Sequence, residues 1–213
     1  MADAAQRSGR SPLDATLIAV SKSVDANMVK RAIQECDQLI FGENRADELL
    51  RKDDAVPEAN FHYIGPLQTN KVRKVAGKTS LIHSVDSQRL LEAVDHRAKL
   101  LDIVQPVLIQ VSISGEEAKQ GIEPAELDAL LHLANDELSN VQVNGLMTMA
   151  PFAPAGDVQW IFEDLRNLRD ATDRDGPSVA LKELSMGMTG DFEAAIEEGA
   201  TLVRIGTALF AED

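Results

Sequence analysis

The chain has 213 residues, 44% of them apolar, enough to bury one substantial core. Its formal charge of −14 argues against nucleic acid or an anionic membrane as the main partner, and no segment is apolar for long enough to span a bilayer. Glycine and proline are scattered, and Met1–Arg7 lacks the apolar stretch of a signal peptide, so we expect one domain over residues 1–213 in the cytoplasm.

In chain order, the first predicted strand covers 15–22. It is the apolar run Thr16-Leu17-Ile18-Ala19-Val20-Ser21, and it closes on Lys22. A lysine at the end of a buried strand either snorkels to solvent or is kept as a reactive amine, because desolvating an ammonium is costly. The helix that follows places Cys36, the only cysteine, on one face with Val29, Ala32 and Ile33, where a thiol simply packs. A second strand, 38–43, leads into Gly42-Glu43-Asn44, where Asn44 is a candidate N-cap or site residue. Strands at 60–65 and 80–85 contain His62 and His83, which we expect to be hydrogen-bonded core residues. Between them, Lys71-Val72-Arg73-Lys74 with Lys78 forms a solvated helix face or a local funnel for an anion. Further strands fall at 105–113, 141–149, 181–186 and 201–209. Helical stripes run through Leu90, Leu91, Val94, Ala98 and Leu101, then Leu127, Leu130, Leu131, Ala134 and Leu138, then Val158, Ile161, Phe162, Leu165 and Leu168.

Most of the eight strands are continuous apolar runs, as expected of parallel strands covered on both faces. Eight such units close into an α/β (βα)8 TIM barrel, and a doubly wound open sheet is the alternative. In a barrel, active sites lie at the C-terminal ends of the strands, with phosphate often held by the loops after strands seven and eight. Lys22, Ser185 and Gly206-Thr207 occupy such places, and strands one and eight are neighbours.

A primary amine facing a phosphate cradle points to pyridoxal 5′-phosphate. Lys22 would form the Schiff base. Ser185 would offer its hydroxyl to phosphate beside the turn at Gly187, and Thr189 or Asp191 would cap the next helix. Gly206 and Thr207 would present backbone amides and a hydroxyl. By strand alternation Arg204 shares a face with Gly206, so it would donate to the pyridine nitrogen and weaken the ring as an electron sink. Asn44 would bond the ring hydroxyl or position the lysine. With no Cys/His cluster, no metal site is expected.

These residues stand in order among Ala19-Val20-Ser21-Lys22, Phe41-Gly42-Glu43-Asn44, Phe61-His62-Tyr63-Ile64-Gly65, Leu67-Gln68-Thr69-Asn70-Lys71 and Ile82-His83-Ser84-Val85-Asp86. There follow Ser114-Gly115-Glu116-Glu117, Gly145-Leu146-Met147-Thr148-Met149, Leu184-Ser185-Met186-Gly187-Met188 and Val203-Arg204-Ile205-Gly206-Thr207. The pattern, from about residue 15 to 210, resembles the pyridoxal phosphate homeostasis proteins of the YggS/PROSC type.

The resemblance implies a fold-type III barrel similar to the alanine racemase N-terminal domain. It implies the cofactor on Lys22, phosphate at Ser185, Gly206 and Thr207, and Arg204 at the pyridine nitrogen. Such proteins are cytosolic, mostly monomeric carriers or regulators of the cofactor pool without an established reaction, and apoenzymes are their expected partners. The chain departs from the pattern in a shortened N-terminal helix, in Pro66, Ser112 and Thr189-Gly190, and in Ala211; the first could weaken the barrel cover. An amino-acid racemase needs a tyrosine opposite the lysine, and the only tyrosine is Tyr63 within the third strand. A Schiff-base aldolase is the third reading, although its lysine usually comes from a later strand.

Overall fold

A computed structural model describes residues 1–115, 120–175 and 180–210. Glu116 and Glu117 of the Ser114-Gly115 motif, and Ala211, lie outside them. The strands are β1 (Thr16–Val20), β2 (Ile40–Glu43), β3 (Asn60–Tyr63), β4 (Leu81–Val85), β5 (Gln105–Gln110), β6 (Val141–Met147), β7 (Glu183–Met188) and β8 (Leu202–Ile205). All pair in parallel in sequence order, and β8 returns to β1, so the sheet is a closed barrel rather than an open one. The helices that matter below are α1 (Ala2–Arg7), α2 (Ala26–Cys36), α3 (Ala46–Ala55), α4 (Val72–Val75), α5 (Gln88–Leu100), α6 (Leu127–Asp136), α7 (Ala155–Asp175), α8 (Phe192–Glu197) and α9 (Thr207–Phe210).

The continuous apolar strands are explained by two separate cores. Outward residues such as Phe41, Phe61, Ile82, Val107 and Val203 pack under the helices with Leu49, Leu91, Leu131 and Phe162. Inward residues Ile18, Leu81, Leu108, Met147 and Leu202 form a second cluster inside the barrel. Six of the strands are thus apolar on both faces, as expected of parallel sheets, whereas β3 and β7 turn His62 and Ser185 inward.

Five strands end earlier than predicted, the third at Tyr63. The first stops at Val20 rather than Lys22, the fifth at Gln110, the sixth at Met147, and the eighth at Ile205, after which Thr207 opens α9. Side-chain character continues past these points, but the parallel ladder does not. β7 carries a bulge: Ser185 pairs with Leu202 but Met188 with Arg204, and the intervening Gly187 has φ +89°, a conformation that glycine takes without penalty.

Cys36 is exposed, contrary to its expected packing. It is the last residue of α2, followed by Asp37 in the left-handed region at φ 53°, so it sits where the helix leaves the wall. The basic segment around α4 is a solvated face: Lys71 and Lys74 pair with Asp47, and Lys78 pairs with Asp53 at 2.8 Å. α1 is six residues long, buries Ala4 and Ala5, and lies against α8, where Arg7 meets Glu193 and Glu197 at 2.6 Å each. Arg10 adds a bond to the Ile196 carbonyl at 2.6 Å. Exposed pairs contribute little, so the cover rests mainly on the two alanines. Among the described residues, no helix is long and apolar enough to cross a membrane.

Candidate functional site at the barrel mouth

The C-terminal ends of β8, β1 and β2 meet at one side of the mouth. Ile18 is opposite Arg204, Ala19 opposite Ile205, and Val20 opposite Gly42. A Cβ on Gly206 would stand 3.1 Å from Val20 Cβ and 3.2 Å from the Val20 carbonyl, so the chain passes flush against the strand two residues before Lys22. Lys22 therefore turns out of β1 beside Gly206-Thr207, and Asn44 leaves β2 on the other flank. Lys22 is exposed in the turn after β1, not buried at its end, so the desolvation expected from the sequence is absent; the open mouth is the reason.

Arg204 points into the barrel, as alternation predicts, and is 4% exposed. Its Nη1 donates to Ser185 Oγ at 2.5 Å and its Nη2 to the Thr148 carbonyl at 3.0 Å. A guanidinium has five N–H donors, so these two bonds leave capacity. Ser185 is fully buried, and its oxygen also lies 2.8 Å from His83 Nδ1, whose Nε2 is 3.0 Å from His62 Nδ1. Each of these contacts pairs one donor with one acceptor if the chain runs one way, from Arg204 to Ser185, to His83, to His62. The Ser185 hydroxyl, expected at the phosphate, lies between Arg204 and His83.

Burial lowers His62 to about 4, and burial with His62 and Arg204 nearby holds His83 well below the usual range. Burial also lowers Arg204 to about 10, opposed by the charge of Asp191, so Arg204 remains cationic at neutral pH. Because both imidazoles are neutral when folded, the unfolded chain binds more protons as pH falls from about 6.5 to about 4. Stability is then full above that window and is lost through it. We expect the melting temperature to drop across this range, and less steeply in His62→Gln. A flat profile would contradict the neutral chain.

Asn44 does not cap α3; Arg45 stands at that position, without a side-chain bond. Among the described residues, the buried side-chain atoms lacking a hydrogen-bond partner are Asn44 Oδ1, Ser84 Oγ and Arg97 Nε. An orphaned acceptor at the mouth, a rim glycine whose Cβ space is filled, a primary amine and a cationic donor set together fit an aldehyde-bearing phosphate ligand with polar ring groups. The chain around Asn44 is tightly set. A Cβ on Gly65 would stand 2.5 Å from the Asn44 carbonyl, and the single Tyr63 O–H is shared between that carbonyl at 3.3 Å and the Pro66 carbonyl at 3.2 Å.

Asp191 stands at the N-cap position of α8, but its Oδ1 accepts from the Met188 amide at 2.6 Å instead, bracing the turn that holds Thr189. Sequence reasoning missed Lys52. It lies on the buried stripe Ala46, Leu49, Lys52 of α3 and forms an ion pair with Glu43. A lysine at a stripe position of otherwise apolar spacing was the available signal. No group of three or more His, Cys, Asp or Glu that could hold a metal is found among the described residues.

Residues 2–213 match the family described as alanine racemase, N-terminal domain. A pyridoxal phosphate homeostasis protein of Aquifex aeolicus is 47% identical over 212 residues, covering 98% of this chain and 92% of its own length. One from Pseudomonas aeruginosa is 39% identical over 211 residues, covering 98% and 89%. Among solved structures, PipY of Synechococcus elongatus with PLP bound aligns with a TM-score of 0.86 at 37% identity, over 98% of this chain and 97% of that one. An alanine racemase of Clostridium difficile aligns with a TM-score of 0.75 at 15% identity over 54% of its length, a likeness of fold alone. Over nearly its whole length, in sequence and in fold, the chain belongs to the pyridoxal phosphate homeostasis protein family.

Proposed function

We propose that this barrel, as one functional unit over 1–213, holds pyridoxal 5′-phosphate reversibly on Lys22 and serves intracellular homeostasis of that cofactor in the cytoplasm. The observation that carries the reading is the flush pairing of β8 with β1, which sets the Lys22 turn beside Gly206-Thr207. When bound, the cofactor supplies an aldehyde that condenses with a primary amine and releases one water. Lys22 provides that amine. Gly206 lets the chain pass flush against Val20 and offers its amide to a phosphate, and Thr207, exposed at the start of α9, offers a hydroxyl and an amide. Asn44 Oδ1 accepts from a ring hydroxyl. Arg204, cationic and fixed by Ser185 and Thr148, donates to the ring nitrogen and keeps it unprotonated. Ser185 thus acts on the ligand through Arg204.

The arrangement favours a carrier over a catalyst. Lys22 is exposed, so water can reach the linkage and reverse it. Tyr63, the one tyrosine of the sequence, is buried and engaged with the Asn44 and Pro66 carbonyls rather than set as a second base. Burial, with Glu43 and Asp47 nearby, raises its pKa further. A racemase or an aldolase therefore has less support. We take the protein to act as a monomer that delivers its cofactor to apoenzymes.

Added pyridoxal phosphate is expected to give the purified protein a near-visible absorption band, and borohydride is expected to fix one cofactor on the peptide containing Lys22. A protein that stays colourless, or labels elsewhere, overturns the proposal.

A further inference from the structure

Beneath the mouth, between the barrel wall and α3, lies an ion pair that no ligand contact explains. Lys52 Nζ is 2.6 Å from Glu43 Oε2, and the two side chains are 4% and 0% exposed. Such pairs lose much of their attraction to desolvation, and well-packed apolar residues would stabilise the fold as well. What apolar residues would not provide is what these charges touch. Lys52 Nζ also donates to the Ser21 carbonyl, and Glu43 Oε1 accepts from the Asn44 amide at 2.8 Å and the Arg45 amide at 3.3 Å.

We infer that the Glu43–Lys52 pair is a positioning device that fixes the turns carrying Lys22 and Asn44 relative to one another, and so sets the rate at which Lys22 captures its aldehyde. The inference rests on the reading of Lys22 given above. Because the Lys22 side chain is exposed and unpacked, its direction depends on its own main chain. The peptide unit from the Ser21 carbonyl to the Lys22 amide is a rigid plane, so the hydrogen bond from Lys52 orients the start of Lys22. Ser21 is tied to the second strand as well, its amide donating to the Gly42 carbonyl at 2.9 Å and its hydroxyl at 3.3 Å. Glu43 fixes the next peptide plane of that strand, which opens Asn44. One carboxylate and one ammonium thereby lock three main-chain groups at the two strand ends.

The test is the paired replacement Glu43→Leu with Lys52→Met, which removes both charges together. We expect a folded protein with a melting temperature within about 5 °C of the parent. The Asn44 and Arg45 amides should exchange at least about tenfold faster in the ligand-free state. Capture of added pyridoxal phosphate, timed by borohydride quenching and read at the Lys22 peptide, should slow by about tenfold or more. A merely structural pair would leave the capture rate unchanged; a folded double variant with parental capture and exchange rates overturns the inference. Should the double variant not fold, Glu43→Asp decides. It keeps both charges but withdraws the carboxylate by one methylene, so slowed capture with little thermal change supports the device, and parental capture overturns it. A parent protein that traps nothing on Lys22 defeats the underlying reading and this inference with it, whereas a trapping parent with equally fast variants defeats this inference alone.

Discussion

Changing Lys22 to alanine is expected to abolish covalent capture of pyridoxal phosphate, with no trapped product at any peptide, while the melting temperature stays within about 2 °C of the parent. The two halves of this result have separate causes. The Lys22 amine is exposed at the β8–β1–β2 junction, whereas the nearby Lys52 amine is buried in its pair with Glu43, so removal of Lys22 is all or none. The side chain is exposed, so its removal opens no cavity and strands no buried partner. Residual noncovalent binding through Gly206, Thr207 and Arg204 is expected, seen as absorption of the free aldehyde that travels with the protein. Undiminished trapping in Lys22→Ala would move the anchor to another lysine.

Arg204→Met should have the largest effect on stability of any change at the site. The guanidinium holds Ser185 and the Thr148 carbonyl, and its charge faces buried Asp191. Each hydrogen bond to a charged group is worth about 1.5–3 kcal/mol, but deleting the arginine also removes the cost of keeping a cation in the interior. The second effect offsets part of the first, and we expect a net loss of about 2–4 kcal/mol, read from denaturant midpoints. Arg204→Lys, which retains the charge and one donor direction, should lose less. In cofactor-loaded protein both variants should shift the near-visible band, since the donor to the ring nitrogen has changed. An unaltered spectrum in a variant that still loads would remove Arg204 from the ring nitrogen.

The strands were legible because parallel strands covered on both faces show as apolar runs: seven lie within the predicted segments, and β7 overlaps its segment but runs two residues past it, to Met188. Their ends were less so. Ser21-Lys22, Thr148-Met149 and Gly206-Thr207 continue the pattern by composition, yet they lack a ladder partner and turn into the loops where the site is built. Closure could not be read from strand count; it depends on the pairing of Ile18 with Arg204. Alternation correctly sent Arg204 inward, because period two survives in a single short strand. The partners of Ser185 did not follow from local pattern, since His83 lies 102 residues away in sequence. Cys36 shows the opposite failure. Its spacing from Val29 suits one helix face, but a face buries only as far as the wall extends. Lys52 was hidden because a lysine on a helix is ordinarily solvated, and only the tertiary position of Glu43 makes it otherwise.

The seam between β1 and β8 also bears on when the molecule becomes competent. Residues so distant along the polypeptide associate late, because the entropy of closing so long a loop must be overcome first. A nascent chain that has emerged only through its first strands carries the nucleophile but neither the arginine nor the glycine turn that would complement it. In the proposed role, only a chain whose seam has closed presents the amine, the arginine and the glycine turn together.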